Sequence, residues 1–171
     1  MKIEKREDVV LLVPKGSVGI ELGIAEGEFA NRVCAKKHMS KWYGVDMYMD
    51  HHNEREMYEM LEKMKPYPEY EFIRGLFFDV LDEFEDECLD IVYADGYAHT
   101  GQEEGLTLDD WYPKVKSGGI IAGDDYHSDW PKNVNAVDTF VIKNKLILNV
   151  EHVGEPDSVW SKYPSWWVRK P

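Results

Sequence analysis

Val18-Gly19-Ile20-Glu21-Leu22-Gly23-Ile24-Ala25-Glu26-Gly27 is an apolar run that ends near an acid, turns on small residues and leads into a helical pattern. The small residues Gly23, Ala25 and Gly27 let backbone come close to a ligand, and the helix that follows offers free N–H groups to an anion such as a carboxylate. Glu21 and Glu26 place negative charge where a phosphate binder wants none. The segment therefore favours a cationic or neutral nucleoside ligand over a phosphate-rich one. A tight strand-to-helix turn with no ligand reads equally from the glycines alone.

Working outward, strand-like and helix-like segments alternate. Strands are expected at Ser17–Glu21, Trp42–Asp46, Tyr70–Arg74, Leu89–Asp95 and Gly119–Asp124. Gly27–His38 reads as a helix with Phe29, Ala30, Val33 and Cys34 on one face, and His51–Met64 as another with Met57, Met60, Leu61 and Met64. The methionine stripe reads as core packing rather than as a cofactor box. Gly101–Val115 should hold a third helix, and Asp129-Trp130-Pro131 starts a fourth that carries Val134, Val137 and Val141. Two last strands, Lys145–Glu151 and Ser165–Arg169, are expected to pair antiparallel. The alternation implies a mostly parallel sheet with helices on both faces, in one domain spanning 1–171. In such sheets ligands bind at the carboxyl ends of the strands, near the switch in strand order.

The strand ends are therefore informative. The second strand ends in Asp46, placed to accept the two ribose hydroxyls of a nucleoside, or to cap the next turn. The fourth ends in Asp95, followed by His99, and the fifth in Asp124-Asp125-Tyr126-His127. Three carboxylates from two neighbouring strand ends repel one another and raise each other's pKa. A hard divalent cation such as Mg²⁺ would relieve that repulsion, with His99 or His127 as a further ligand or a general base. The alternative is that Asp124 and Asp125 cap loops and the histidines are solvated.

Bulk properties narrow the function classes. The 171 residues carry a formal net charge of −13, which disfavours DNA, RNA and anionic membranes. The densest basic stretch, Arg32 to Lys41, lies at a helix end, where cations suit the helix dipole. The longest apolar run, Val9 to Val13, is far short of the about 20 residues that span a bilayer. The charged residues 1–8 do not read as a signal peptide. Cys34 and Cys88 lack metal-ligand spacing and read as buried free thiols, so a cytoplasmic protein is expected.

Taken together and in order, these segments resemble the class I S-adenosylmethionine-dependent methyltransferases, and among them a small O-methyltransferase-like group of macrocin and catechol type. Glu21–Gly27 resembles the family's first motif, with Ala25 in place of the middle glycine. Asp90-Ile91-Val92-Tyr93-Ala94-Asp95-Gly96 resembles the fourth-strand motif, Trp111–Tyr126 the fifth-strand block and Ser165–Lys170 the last strand. The resemblance covers about Asp8 to Lys170.

It implies a three-layer Rossmann-like fold with a seven-stranded, mostly parallel sheet and an antiparallel C-terminal hairpin strand. It further implies that S-adenosylmethionine is held by Glu21, Gly23, Ala25, Gly27, Phe29, Asp46, Met47, Phe77 and Asp95. Phe77 or Phe78 would meet the adenine, because Leu76 stands where many relatives carry a polar residue. Asp95, Asp124 and Asp125 would hold Mg²⁺ or a similar ion, with His99 or His127 as the base. His99 lies one residue further from Asp95 than is common.

The acceptor implied is a small molecule with a hydroxyl group, with no nucleic acid or membrane involved. The short segment ahead of the first strand implies an acceptor side that is open, or completed by a second subunit in a homodimer. A nicotinamide dehydrogenase would need neither the paired Asp124-Asp125 nor acids beside a pyrophosphate. A nucleic-acid methyltransferase would carry an Asn/Asp-Pro-Pro-aromatic motif, which is missing. A non-catalytic nucleoside-binding protein on the same fold is the remaining alternative, with tryptophans such as Trp130, Trp160, Trp166 and Trp167 forming a surface for sugars or a partner, although core or rim packing is the more ordinary reading of most of them.

Overall fold

The computed structural model describes residues 3–49, 52–96, 101–151 and 162–171 (backbone alone at 102). Seven strands form one sheet in the order β3-β2-β1-β4-β5-β7-β6. They are β1 Val18–Leu22, β2 Lys41–Asp46, β3 Tyr70–Arg74, β4 Leu89–Ala94, β5 Val115–Gly123, β6 Asn149–Glu151 and β7 Ser165–Arg169. β1 to β5 pair parallel, whereas β7 runs antiparallel to both β5 and β6. This is the seven-stranded, mostly parallel sheet with antiparallel C-terminal strands that the sequence implies.

The helices are α1 Glu28–Ala35, α2 Glu54–Met64, α3 Gly101–Glu104, α4 Leu106–Trp111 and α5 Pro131–Asn144. Side chains alternate across the sheet with period two, and β4 shows the result. Ile91 and Tyr93 pack with Phe29, Val33 and the methionines Met57, Met60 and Met64 from α1 and α2. Val92 and Ala94 pack with Leu108, Trp111, Val137 and Phe140 from α4 and α5. The sheet is thus the middle of three layers, and the methionine stripe is core.

Local chemistry moves several boundaries. Asn53 caps α2: its side chain accepts the N–H groups of Arg55 and Glu56, at 3.0 and 3.3 Å. The helix expected over Gly101–Val115 breaks at Gly105, whose φ of +94° no regular helix admits, and Pro113 then lies in a 3-10 turn, Tyr112–Lys114. The last strand pair is shorter than expected because Lys145 is the left-handed cap of α5 (φ 55°), so β6 begins only at Asn149. Among the described residues no helix is long and apolar enough to cross a membrane.

The N-terminal segment forms a 3-10 turn, Arg6–Leu12, that the sequence reading treats only as charge and a short apolar run. It is bound down at several points. Val9, Val10 and Val13 are buried in the α1–α2 layer. Asp8 Oδ1 pairs with Lys36 at 2.5 Å and Ile3 N–H donates to Glu151 at 2.8 Å. The Leu12 carbonyl accepts from Arg169 at 3.0 Å.

Candidate functional site

Register places the site. Glu21 of β1 lies beside Tyr93 of β4, which lies beside Ala122 of β5. Two residues further along, on the same face, come Gly23, Asp95 and Asp124. The parallel strand order reverses between β1 and β4, and there the two chains touch. Gly23 has φ +92°, and a Cβ on it would lie 2.6 Å from the Asp95 carbonyl oxygen. Only a glycine fits that left-handed, crowded position. Ala25 follows in the left-handed region at φ 49°.

Asp46 supports this turn rather than standing free beside it. Its Oδ2 accepts from Ile24 N–H at 2.9 Å and Ala25 N–H at 3.2 Å, and its Oδ1 from Tyr48 N–H at 2.8 Å. The Tyr48 hydroxyl donates to the Ala25 carbonyl at 2.6 Å. One carboxylate and one phenol therefore fix the path of the chain between β1 and α1.

A cleft of about 270 Å³ opens above the turn. Of the residues expected to hold the cofactor, Glu21, Gly23, Ala25, Phe29 and Asp95 line it; Gly27, Asp46, Met47 and Phe77 lie outside its lining. Phe77 packs instead on Gly96, where a Cβ would meet its ring at 2.9 Å. Met47 is half-buried and offers its carbonyl to Arg74 at 3.3 Å. Asp124, Asp125 and Trp130 also line the cleft.

The acids are compensated from within the chain. Arg6 lines the same cleft, and its guanidinium bridges two strand ends. Nη1 donates to Asp124 Oδ2 at 2.8 Å, and Nη2 donates to Asp95 Oδ2. The guanidinium lies 4.7 Å from the Phe29 ring centre and 5.7 Å from that of Tyr93. Asp124 Oδ1 accepts from Ser165 Oγ at 3.1 Å, and the side-chain amide of Asn133 donates to the carbonyls of Asp124 and Asp125, each at 3.0 Å.

The four acids remain electrostatically strained. Burial, then the Asp95 charge, pushes Glu21 well above the usual carboxylate range, although Arg6 opposes the rise. Burial raises Asp95 to about 6 against the pull of Arg6. Asp125 rises to about 7, by burial and then by the charges of Asp124 and Asp95. The Asp125 carboxylate has no hydrogen-bond or ion-pair partner among the described residues.

A divalent cation at Asp95, Asp124 and Asp125 does not fit this arrangement. Hard cations take oxygen ligands at about 2.0–2.6 Å. Here an Asp95 oxygen and an Asp124 oxygen each hold an Arg6 N–H, so an ion at that distance would sit against the guanidinium, cation on cation. Among the described residues no group of three or more His, Cys, Asp or Glu is arranged to hold a metal ion. The repulsion that suggested Mg²⁺ is real, but its relief comes from Arg6.

Of the two candidate bases, His99 lies outside the described residues and His127 is not in the cleft lining. The His127 ring stacks on Tyr163, with 4.8 Å between centroids, and its Nδ1 accepts from Asp129 N–H at 3.2 Å. Arg6 escaped the sequence reading because nothing local marks it. The available signal was a balance of charge: three converging acids and an arginine just ahead of the buried Val9 and Val10.

Comparison with known proteins agrees with the geometry. A family model described as a methyltransferase domain matches residues 20–126, from the middle of β1 to just beyond Asp125. No curated protein matches significantly. Among solved structures, a precorrin-6y C5,15-methyltransferase from Geobacter metallireducens superposes with a TM-score of 0.71 at 14% identity, over 96% of this chain and 87% of that one. Spermidine synthase from Thermotoga maritima gives 0.72 at 14% identity, over 98% and 58%. The N-methyltransferase NodS from Bradyrhizobium japonicum gives 0.68 at 15%, over 97% and 94%. At such identities the superpositions speak for the fold alone. With the family match over more than half its length, the chain belongs to the methyltransferase-domain family, on the class I S-adenosylmethionine-dependent fold.

Proposed function

We propose that this chain transfers the methyl group of S-adenosylmethionine to the hydroxyl group of a small molecule. The observation that carries the reading is the contact of the Gly23 turn with the Asp95 backbone at the switch in strand order, beneath an acid-lined cleft. Glu21, Gly23, Ala25, Phe29 and Asp95 would hold the amino-acid part of the cofactor, whose ammonium and sulfonium charges suit the acids. Asp46 Oδ1 accepts a single N–H, from Tyr48, and keeps a second lone pair, so a ribose hydroxyl can be met there without releasing the turn. When bound, the cofactor supplies a methyl group activated by positive sulfur.

The chain's own residues then divide the work. Arg6 screens Asp95 and Asp124. Asp125 lines the cleft with no hydrogen-bond or ion-pair partner among the described residues, and it would take the acceptor's proton. The net charge of −13 disfavours nucleic acid as the acceptor. Calorimetry with S-adenosylmethionine, followed by mass spectrometry of hydroxylated small molecules incubated with both, tests the reading. Absence of binding heat would sink it. Binding with no +14 Da product from any acceptor would favour the nucleoside-binding alternative.

A further inference from the structure

We infer that Arg6 is a built-in counter-cation that takes the place of a divalent ion at the ends of β4 and β5, so that the site works without metal and becomes a metal site only when Arg6 is removed. The inference deepens the proposed function and rests on it for the identity of the site, but not for the chemistry of the cluster.

Three observations carry it. First, two of the three carboxylates that would ligate an ion already hold a cation: Asp124 Oδ2 lies 2.8 Å from Nη1, and Asp95 Oδ2 accepts from Nη2. Second, Arg6 is seated rather than draped. Its side chain is 10% exposed and lies over Phe29. The turn that carries it is anchored by the buried Val9 and Val10, by Lys36 on Asp8 and by Arg169 on the Leu12 carbonyl. An ion that displaced the guanidinium would have to replace both carboxylate contacts and its seat on Phe29. Third, the guanidinium matches its two carboxylates in geometry as well as charge, one N–H to each, which a spherical ion does not require. Without Arg6, Asp95, Asp124 and Asp125 would stand with no internal cation against them, and their mutual repulsion would favour a rearrangement of the three carboxylates around a divalent ion.

Mn²⁺ titration followed by electron paramagnetic resonance, with melting temperature read in parallel, tests this on wild type, Arg6→Ala and Arg6→Ala/Asp124→Ala. The wild type should bind no Mn²⁺ at the cluster, and its melting temperature should not move. Arg6→Ala should bind one ion at least about tenfold more tightly, melt higher in its presence, and lose both effects in the double variant. Arg6→Gln serves if Arg6→Ala does not fold. Tight binding by the wild type that Asp124→Ala abolishes would overturn the inference, as would an Arg6 variant that folds and gains no site. Calorimetry with S-adenosylmethionine on the wild type separates the two claims: a missing cofactor heat counts against the proposed function and leaves the Mn²⁺ result standing.

Discussion

Replacing Arg6 by Met keeps an unbranched side chain against Phe29 but removes the charge between Asp95 and Asp124. Breaking a buried ion pair from one side costs about 3–5 kcal/mol, because the partner is left charged and uncompensated. For a chain of 171 residues each kcal/mol moves the melting temperature by about 2–4 °C, so at pH 8 the variant should melt about 6–20 °C lower. At pH 5 the penalty must shrink. An orphaned carboxylate can escape by taking a proton, at about 1.4 kcal/mol for each unit that the pH lies above its ordinary pKa of about 3.9. That ceiling is about 5.6 kcal/mol at pH 8 but only about 1.5 kcal/mol at pH 5.

Asp95, already raised to about 6, is mostly protonated at pH 5 in the wild type, so only Asp124 has a new cost to meet. The loss should then be about 3–6 °C. The sign follows from linkage. The folded state binds the Asp95 proton more tightly than the unfolded chain, so this group's contribution is present below about pH 4 and is lost as pH rises through about 6. Differential scanning calorimetry at both pH values provides the check. An equal loss at pH 5 and pH 8 would mean that Arg6 acts by packing, and the electrostatic account would be refuted.

Other perturbations probe the turn and its supports. Gly23→Ala should cost about 1–2 kcal/mol for the left-handed backbone, and its Cβ must push away the Asp95 carbonyl 2.6 Å off; S-adenosylmethionine affinity measured by calorimetry should fall about tenfold or more. Affinity left intact would remove the turn from the binding site. Asp46→Ala removes the acceptor of three backbone N–H groups and should cost about 1.5–3 kcal/mol. Amide exchange at Ile24 and Ala25 should accelerate before that of β1, and uniform acceleration would count against a local role. Asn53→Ala should lower stability to urea by about 0.5–2 kcal/mol through the lost α2 cap, with cofactor affinity unchanged; no loss of stability would show the cap to be idle.

The parts of the fold legible in the sequence were those with local causes. The β1 segment, the acid at the end of β2 and the small-residue turn announce themselves within a few residues, because strand burial and turn chemistry act at short range. The same holds for the methionines of α2, whose spacing alone puts them on one face. Boundaries failed where a single residue left the regular backbone: Gly105 splits one expected helix, and Lys145 closes α5 where a strand was expected to start.

At the site, sequence found the acids and misjudged what they meet. Asp46 reads as a ribose ligand, yet its nearest donors are backbone N–H groups of the turn, a choice set by how β1 and β2 lie together. Asp95, Asp124 and Asp125 read as a metal set because repulsion among them is visible from their positions. The cation that answers them comes from a turn whose path over α1 depends on tertiary contacts.

Arg6 and Asp124 stand 118 positions apart, and Arg6 and Asp95 stand 89 apart. Contacts that close such long stretches of chain cannot form early, since their loop entropy must be met by structure already in place. Synthesis toward the C-terminus makes Arg6 well before either of its acids, and both are present only when β5 has been added. The glycine turn, by contrast, needs little more than β1, α1 and β2. A nascent chain halted before β5 would hold the glycine turn with its arginine still unseated, so the seating of Arg6 marks the arrival of the fifth strand.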